Sequence, residues 1–173
     1  MSKTFITSDH HFCHANFLTF KNSAGEQLRK FSSVEEMDEY MVSQWNDKVS
    51  KNDSVYHLGD LCFHNRLLDS IMPRLNGQKK VLIKGNHDRL KVSQYMKYFN
   101  DIRAYDRLDN FILSHVPIHP ESLGRSKGNI HGHVHANTLS DLRYFNVCVD
   151  VWDYAPVDFE LIRRAFDLRG LNE

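Results

Sequence analysis

Short runs of branched apolar residues, each broken off by a polar cluster, set the rhythm of this chain. The clearest is Val81-Leu82-Ile83, followed by Lys84-Gly85-Asn86-His87-Asp88. Adjacent apolar residues on both faces predict a strand buried on both sides, so Lys80–Lys84 reads as a central strand. The same rhythm predicts strands at Lys3–Ser8, centred on Phe5 and Ile6, and at Ser54–Leu58. Tyr144–Val151 alternates, with Phe145, Val147, Val149 and Val151 sharing a face. Ile102–Tyr105 and Phe111–Ser114 read as hairpin strands across Asp109-Asn110.

Elsewhere the spacing turns helical. Ser33-Val34-Glu35-Glu36 is a capping-box pattern, and Val34, Met37, Met41, Trp45 and Val49 follow at helical spacing, predicting a helix over 33–49. A second helix is expected over 65–75, with Leu67, Leu68, Ile71 and Leu75 inward, Pro73 late within it and Asn76-Gly77 as its C-cap. A third is expected over Val92–Phe99, and a last after Asp158, its N-cap, carrying Phe159, Ile162 and Phe166. Residues 12–31 and Val116–Lys127 read as irregular. Strands and helices of these lengths predict an α/β fold. With no repeat, linker or low-complexity tract, one domain is expected across 1–173.

Composition narrows the classes of function. The 22 basic and 22 acidic residues cancel, which leaves no basic surface for a long nucleic acid. Eleven histidines stand out, and imidazole is the commonest metal ligand. Cys13, Cys62 and Cys148 are odd in number and widely spaced, so no disulfide framework or cysteine zinc site follows from them. No signal-peptide pattern or membrane-length apolar run is present. The expectation is a cytoplasmic protein without a membrane partner. Oligomeric state is left open, since Trp45, Trp152 and Tyr154 fit a core or an interface.

The polar clusters sit where strands end. Asp9 and His11 follow the first strand, Gly59-Asp60 the second, and Gly85-Asn86-His87-Asp88 the third. His115 ends the hairpin, and Gly132-His133-Val134-His135 follows Asn129-Ile130-His131. Strand ends in one sheet lie side by side, which is where α/β sheets carry ligand sites. Carboxylates and imidazoles gathered there suit a metal centre.

This order of motifs, intact from Asp9 to His135, resembles the calcineurin-like metallophosphoesterase superfamily. The short chain looks like its compact bacterial and phage members. The resemblance implies a four-layer α/β/β/α sandwich of two mixed β-sheets, with helices on both outer sides. It implies two metal ions, one held by Asp9, His11 and His135, the other by Asn86, His115 and His133, with Asp60 bridging. Oxygen and imidazole donors without thiolate suit Mn²⁺, Fe, Co²⁺ or Zn²⁺ more than Mg²⁺ or Ca²⁺; Mn²⁺ is the expected occupant, with Fe, Co²⁺, Zn²⁺ or Ni²⁺ as alternatives. Two divalent ions outweigh the two carboxylates, so the centre attracts phosphate although the chain is neutral.

The mechanism implied is in-line attack by metal-activated hydroxide. His87 is the expected general acid, Asp88 orients or biases its ring, and no covalent intermediate forms. His14, Asn16, Arg89 and His119 are candidate substrate contacts, and Arg125 reads as solvated. His10, His57, His64 and His131 read as structural or supporting, Cys13 and Cys62 as apolar. The expected substrate is a small nucleotide or cyclic phosphodiester. The alternatives are a phosphomonoesterase (nucleotidase or protein phosphatase), helped by Arg89 or Arg125, and a catalytically silent metal-binding scaffold. The scaffold reading predicts a missing ligand or a missing His87, and none is missing.

Overall fold

The computed structural model describes residues 2–21, 24–62 and 65–170. Its strands are β1 (Thr4–Thr7), β2 (Ser54–His57), β3 (Lys79–Ile83), β4 (Asp101–Arg103), β5 (Tyr105–Leu108), β6 (Phe111–Ser114), β7 (Gly128–His131), β8 (Tyr144–Asn146) and β9 (Val157–Asp158). The α-helices are α1 (Val34–Lys48), α2 (Asn65–Ile71), α3 (Val92–Tyr95) and α4 (Phe159–Leu168). One sheet has the order β4-β3-β2-β1-β9, the other β5-β6-β7-β8. In the first, β1 to β4 run parallel and β9 is antiparallel; in the second, β5 alone is antiparallel to its neighbour.

The two-sided burial read from the central strands has two different partners. Phe5, Val55 and Leu82 pack outward against α1, meeting Met37, Met41 and Trp45. Their neighbours Ile6, Val81 and Ile83 face inward onto Phe111, Leu113, Ile130 and Phe145 of the second sheet. α4 adds Ile162 and Phe166 to this inter-sheet core. Leu123, from a 3-10 turn at Pro120–Leu123, packs with Ile112 and Tyr144, which share the second sheet's other face. Each buried side chain of this size contributes about 1.5–3 kcal/mol, so the sandwich is set by alternation along the strands. Ser33 Oγ accepts the Glu36 N–H at 3.1 Å and so caps α1, while the Glu36 carboxylate returns to the Ser32 N–H at 2.8 Å.

The structure departs from the sequence reading in four places. α2 stops at Ile71, and Pro73 sits in a 3-10 turn at Met72–Arg74, because proline cannot donate to an α-helical ladder. Leu68, Ile71 and Leu75 are buried as expected; His64 and the side chain of Leu67 lie outside the described residues. α3 is a single turn, although Tyr95 and Phe99 are both buried at the helical spacing that suggested more. The hairpin partner of β6 is Tyr105–Leu108, and Asp101–Arg103 joins the first sheet instead, so the chain changes sheets at Ala104. The turn itself is where expected, with φ of 47° at Asp109 and 67° at Asn110, as a two-residue hairpin loop requires. Finally, β8 ends at Asn146 and Val149–Val151 forms a 3-10 turn. Among the described residues no helix is long and apolar enough to cross a membrane.

In-register pairing aligns the strand ends. Thr7 sits beside His57, His57 beside Leu82, and Ser114 beside His131. The loops that follow emerge together.

Candidate metal centre

Five of the seven expected ligands have left-handed backbone: Asp9 (φ 61°), His11 (50°), Asp60 (55°), His133 (71°) and His135 (50°). Non-glycine residues adopt this region at a cost and concentrate there at functional sites. Hydrogen bonds hold the turns, with Asp9 N donating to Gly59 O and His11 N to Asp60 O, both at 3.0 Å. The motif glycines permit the contact between loops. A Cβ on Gly85 would strike Asp60 N and Oδ1, and one on Gly132 would strike Asp9 Oδ2 and Ser8 Oγ.

Asp9 Oδ2 accepts the His133 N–H at 2.9 Å and the Cys148 thiol at 3.2 Å. Its Oδ1 is buried without a hydrogen-bond partner, 3.8 Å from His11 Nε2 and 3.9 Å from His135 Nε2. A bare carboxylate oxygen in the interior is costly unless a cation meets it. Asp60 Oδ1 accepts the His87 N–H at 2.8 Å, while Oδ2 lies 3.6 Å from His11 Nε2 and 3.4 Å from His115 Nε2. Asp60 thus stands between two donor clusters.

The second cluster is tighter. Asn86 Oδ1 is 2.8 Å from His115 Nε2 and 3.0 Å from His133 Nδ1, and those nitrogens are 3.2 Å apart. His115 Nδ1 lies 2.8 Å from Leu58 O and donates to it, so its Nε2 offers a lone pair. Three acceptor atoms at these distances fit a shared cation.

Burial, then Arg29 and the neighbouring histidines, push His11 far below the usual imidazole range. Burial and His115 lower His133 as well. Burial also pulls His115 down, but Asp60 and Asp9 outweigh it and raise that ring. Burial raises Asp60, and His115 with the His87 N–H more than offset it, leaving Asp60 low. Neutral imidazole and ionised carboxylate are the metal-binding forms.

Asp88 is buried, and its carboxylate accepts the N–H groups of Asp60 (2.8 Å), Gly85 (2.9 Å) and Leu61 (3.1 Å) and the Tyr95 hydroxyl (3.4 Å). These partners clamp two loops together. The half-buried His87 ring lies edge-on to His11, with centroids 5.6 Å apart.

The weaker candidates separate. The His14 ring lies 6.3 Å from that of His11, whereas Asn16, Arg89 and Arg125 are exposed. His119 caps its own 3-10 turn, accepting the Glu121 N–H at 3.3 Å. His10 and His57 form a buried pair, Nδ1 to Nε2 at 2.9 Å, and His131 Nδ1 lies 2.9 Å from Gly132 O. Cys13 donates its N–H to Asp38, and Cys62 is buried. Trp45 is core.

Sequence reasoning missed three residues. Cys148 donates to Asp9, as noted. Asp150 Oδ2 accepts from His135 Nδ1 at 2.7 Å. Arg29, fully buried, donates through Nε to Asp150 Oδ1 at 2.8 Å. Burial pushes Asp150 up, but Arg29 and His135 bring it down to about 2. The one signal in the sequence was a carboxylate flanked by two valines, and a buried arginine in an irregular loop leaves none.

Comparisons with known proteins agree with this geometry. The calcineurin-like phosphoesterase family matches residues 2–165. An uncharacterized protein of Methanocaldococcus jannaschii, MJ1445, is 35% identical over 100% of this chain and 98% of its own length. The Gene 66 protein of Mycobacterium phage D29 is 29% identical over 91% of this chain and 94% of its own length. In fold, the crystal structure of AQ665 from Aquifex aeolicus, described as a protein of unknown function, matches with a TM-score of 0.77, 23% identity, and coverage of 95% of this chain and 99% of that one. Asp9, His11 and His135, and likewise Asp9, Asp60 and His115, lie close enough to hold an ion; a family whose members hydrolyse phosphoric esters at dinuclear metal centres accounts for such a site, and the chain belongs to it: this is a calcineurin-like phosphoesterase.

Proposed function

We propose that the protein is a phosphodiesterase that hydrolyses small nucleotide or cyclic phosphodiesters. The observation that carries the metal-dependent part of this reading is the pair of donor clusters sharing Asp60, with Asp9 Oδ1 bare beside two imidazole nitrogens. Asp9, His11 and His135 would hold one divalent ion, Asn86, His115 and His133 the other, with Asp60 common to both. Mn²⁺ is the favoured occupant; Fe, Co²⁺, Zn²⁺ and Ni²⁺ suit the same donors. When bound, two such ions supply a nucleophilic hydroxide at neutral pH and positive charge for the phosphoryl oxygens.

The chain's own residues do the rest. His87 donates a ring proton to the leaving-group oxygen. Its backbone N–H bond to Asp60 keeps acid and shared carboxylate in one frame. Asp88 fixes that frame through the backbone. No serine or cysteine nucleophile is needed, so no covalent intermediate forms.

A groove of about 530 Å³ beside His133 and His135 supports a substrate of nucleotide size. Phe20 and Leu28 give it apolar wall, and Lys21 and Asn137 give it charge and hydrogen bonding. Phe20 is 43% exposed and offers a face for a base. His14, Asn16, Arg89 and His119 are the proposed phosphate contacts; the cap bond of His119 uses Nδ1. The neutral chain argues for a small substrate over a long nucleic acid. We read residues 1–173 as one domain, and the reduced thiols of its cysteines suit the cytoplasm, the location we assign.

The test compares a bis-aryl phosphate diester with its mono-aryl monoester, using protein stripped by chelator and refilled with Mn²⁺. The expected result is faster diester hydrolysis. A monoester preference would move the assignment to a phosphomonoesterase and make Arg89 the next residue to change. No turnover of either, with two metals bound, would point to the silent scaffold.

A further inference from the structure

We infer that Arg29 and Asp150 are positioning residues for one half of the dinuclear centre, holding Asp9, His11 and His135 ready for one ion while leaving the other ion's ligands alone. The inference rests on the two-metal reading above and adds an asymmetry to it.

Arg29 is 0% exposed, and so is not a surface arginine folded back. Taking a guanidinium out of water is costly unless its donors are met. Here they are. Nε donates to Asp150 Oδ1 at 2.8 Å, one terminal nitrogen donates to Asp9 O at 2.6 Å, and the other donates to His10 O at 2.5 Å. The flat face of the cation rests 4.3 Å from the centroid of Phe17. Asp9 O and His10 O belong to the two peptide units that link Asp9 to His11. One rigid fork therefore sets the backbone between two ligands of the same half-site.

The third ligand is set through Asp150, whose side chain is 1% exposed. Its Oδ2 takes the His135 Nδ1 proton at 2.7 Å. That bond fixes the tautomer and ring direction, so Nε2 keeps its lone pair toward Asp9 Oδ1, 3.9 Å away. The same carboxylate is pinned by Arg29 from a position 121 residues distant in the chain. The hydrogen bonds described for Arg29 and Asp150 do not involve Asn86, His115 or His133. Their side chains are ordered instead by Leu58 O and by one another, and the one link across is the His133 backbone N–H on Asp9 Oδ2 at 2.9 Å.

A carboxylate behind a metal-bound histidine is worth 10–100-fold in affinity. Asp150→Asn should therefore weaken one of two Mn²⁺ sites by about 10–100-fold and leave the other within about threefold. The experiment is equilibrium dialysis of the full chain against graded free Mn²⁺ with elemental analysis. Electron paramagnetic resonance alongside it separates coupled pairs from isolated ions. Wild-type protein should fill with two ions and show the coupled signal. Asp150→Asn, at free Mn²⁺ that saturates wild type, should hold one ion and show the isolated signal. Arg29→Lys, which keeps the charge but not the fork, should show a smaller loss at the same site and keeps the test alive if Asp150→Asn does not fold.

A merely structural ion pair makes a different prediction: lower stability without an unequal effect on the two ions. In a His135→Ala background, Asp150→Asn should cause only the small further loss that passes through Arg29, because its target ring is gone. Equal weakening of both sites, unchanged binding, or a full additional loss in that background would overturn the inference. If wild-type protein itself holds fewer than two ions, the two-metal reading fails first, and dialysis of wild type alone reveals it.

Discussion

Asp88→Ala should destabilise the metal-free protein by about 3–6 kcal/mol, because it strands three backbone donors, two of them buried. Asp88 is 2% exposed, and its oxygens serve the N–H groups of Asp60, Gly85 and Leu61 at 2.8, 2.9 and 3.1 Å. Each donor left unpaired costs about 1–3 kcal/mol; the lower half of that range applies, since exposed Asn86 nearby lets water approach. Against the total of about 5–15 kcal/mol that holds a domain together, the loss is large. Asp88→Asn keeps one acceptor oxygen and turns its amide on the remaining donors. Burial also holds the Asp88 carboxyl above the usual range, so the neutral side chain escapes part of a desolvation cost, and about 1–3 kcal/mol is expected. Urea denaturation in chelator, followed by tryptophan fluorescence through buried Trp45, reads both numbers. If Asp88→Asn stays within about 0.5 kcal/mol of wild type while losing a hundredfold or more in rate, Asp88 works on the His87 ring and the clamp is wrong.

Gly85→Ala should lose about 1–3 kcal/mol and most Mn²⁺ binding, since the new methyl meets Asp60 N and Oδ1; wild-type metal content in that variant would contradict the close-approach argument. His87→Ala should cut turnover about 10²–10⁴-fold with an alkoxide leaving group and far less with a nitrophenolate; equal losses would remove His87 as the acid. Burial, chiefly, holds the His57 ring at about 3 against its usual 6.5, and burial with His57 lowers His10 too. The unfolded chain therefore binds more protons below pH 6.5, so this stability is present above that pH and drains away as pH falls toward 3. For His57 the shift corresponds to at most about 5 kcal/mol. Urea midpoints from pH 7 to 4 should fall more steeply for metal-free wild type than for His57→Gln, and parallel slopes would show that the buried pair does not govern acid stability.

The parts of the fold that were legible in the sequence are those where local pattern and tertiary burial agree. β1, β2 and β3 are apolar on adjacent positions because one face meets the helices and the other meets the second sheet. The five motif clusters were legible for a related reason: all carry ligand chemistry at strand ends, and three of them add glycines (Gly59, Gly85, Gly132) that the loop contacts require. Pattern failed where the chain changes partner. Residues 101–108 are weakly alternating throughout, and nothing local says that Asp101–Arg103 and Tyr105–Leu108 belong to different sheets. Alternation continues past Asn146, but its side chain bonds His135 O, Asn137 O and Cys148 N, and the backbone turns there. That turn carries Asp150 inward beneath His135, where a straight strand would have read it as solvent-facing. Arg29 was illegible because its partners, Asp9, His10 and Asp150, are gathered only by the fold.

The central claim is that two ions sit in two donor sets joined by Asp60, and anomalous diffraction tests it most directly. Crystals grown with Mn²⁺ should give two strong peaks at the manganese edge. One should lie among Asp9, His11 and His135, the other among Asn86, His115 and His133, each within bonding distance of Asp60. A single peak, or peaks that leave Asp60 untouched, would contradict the account.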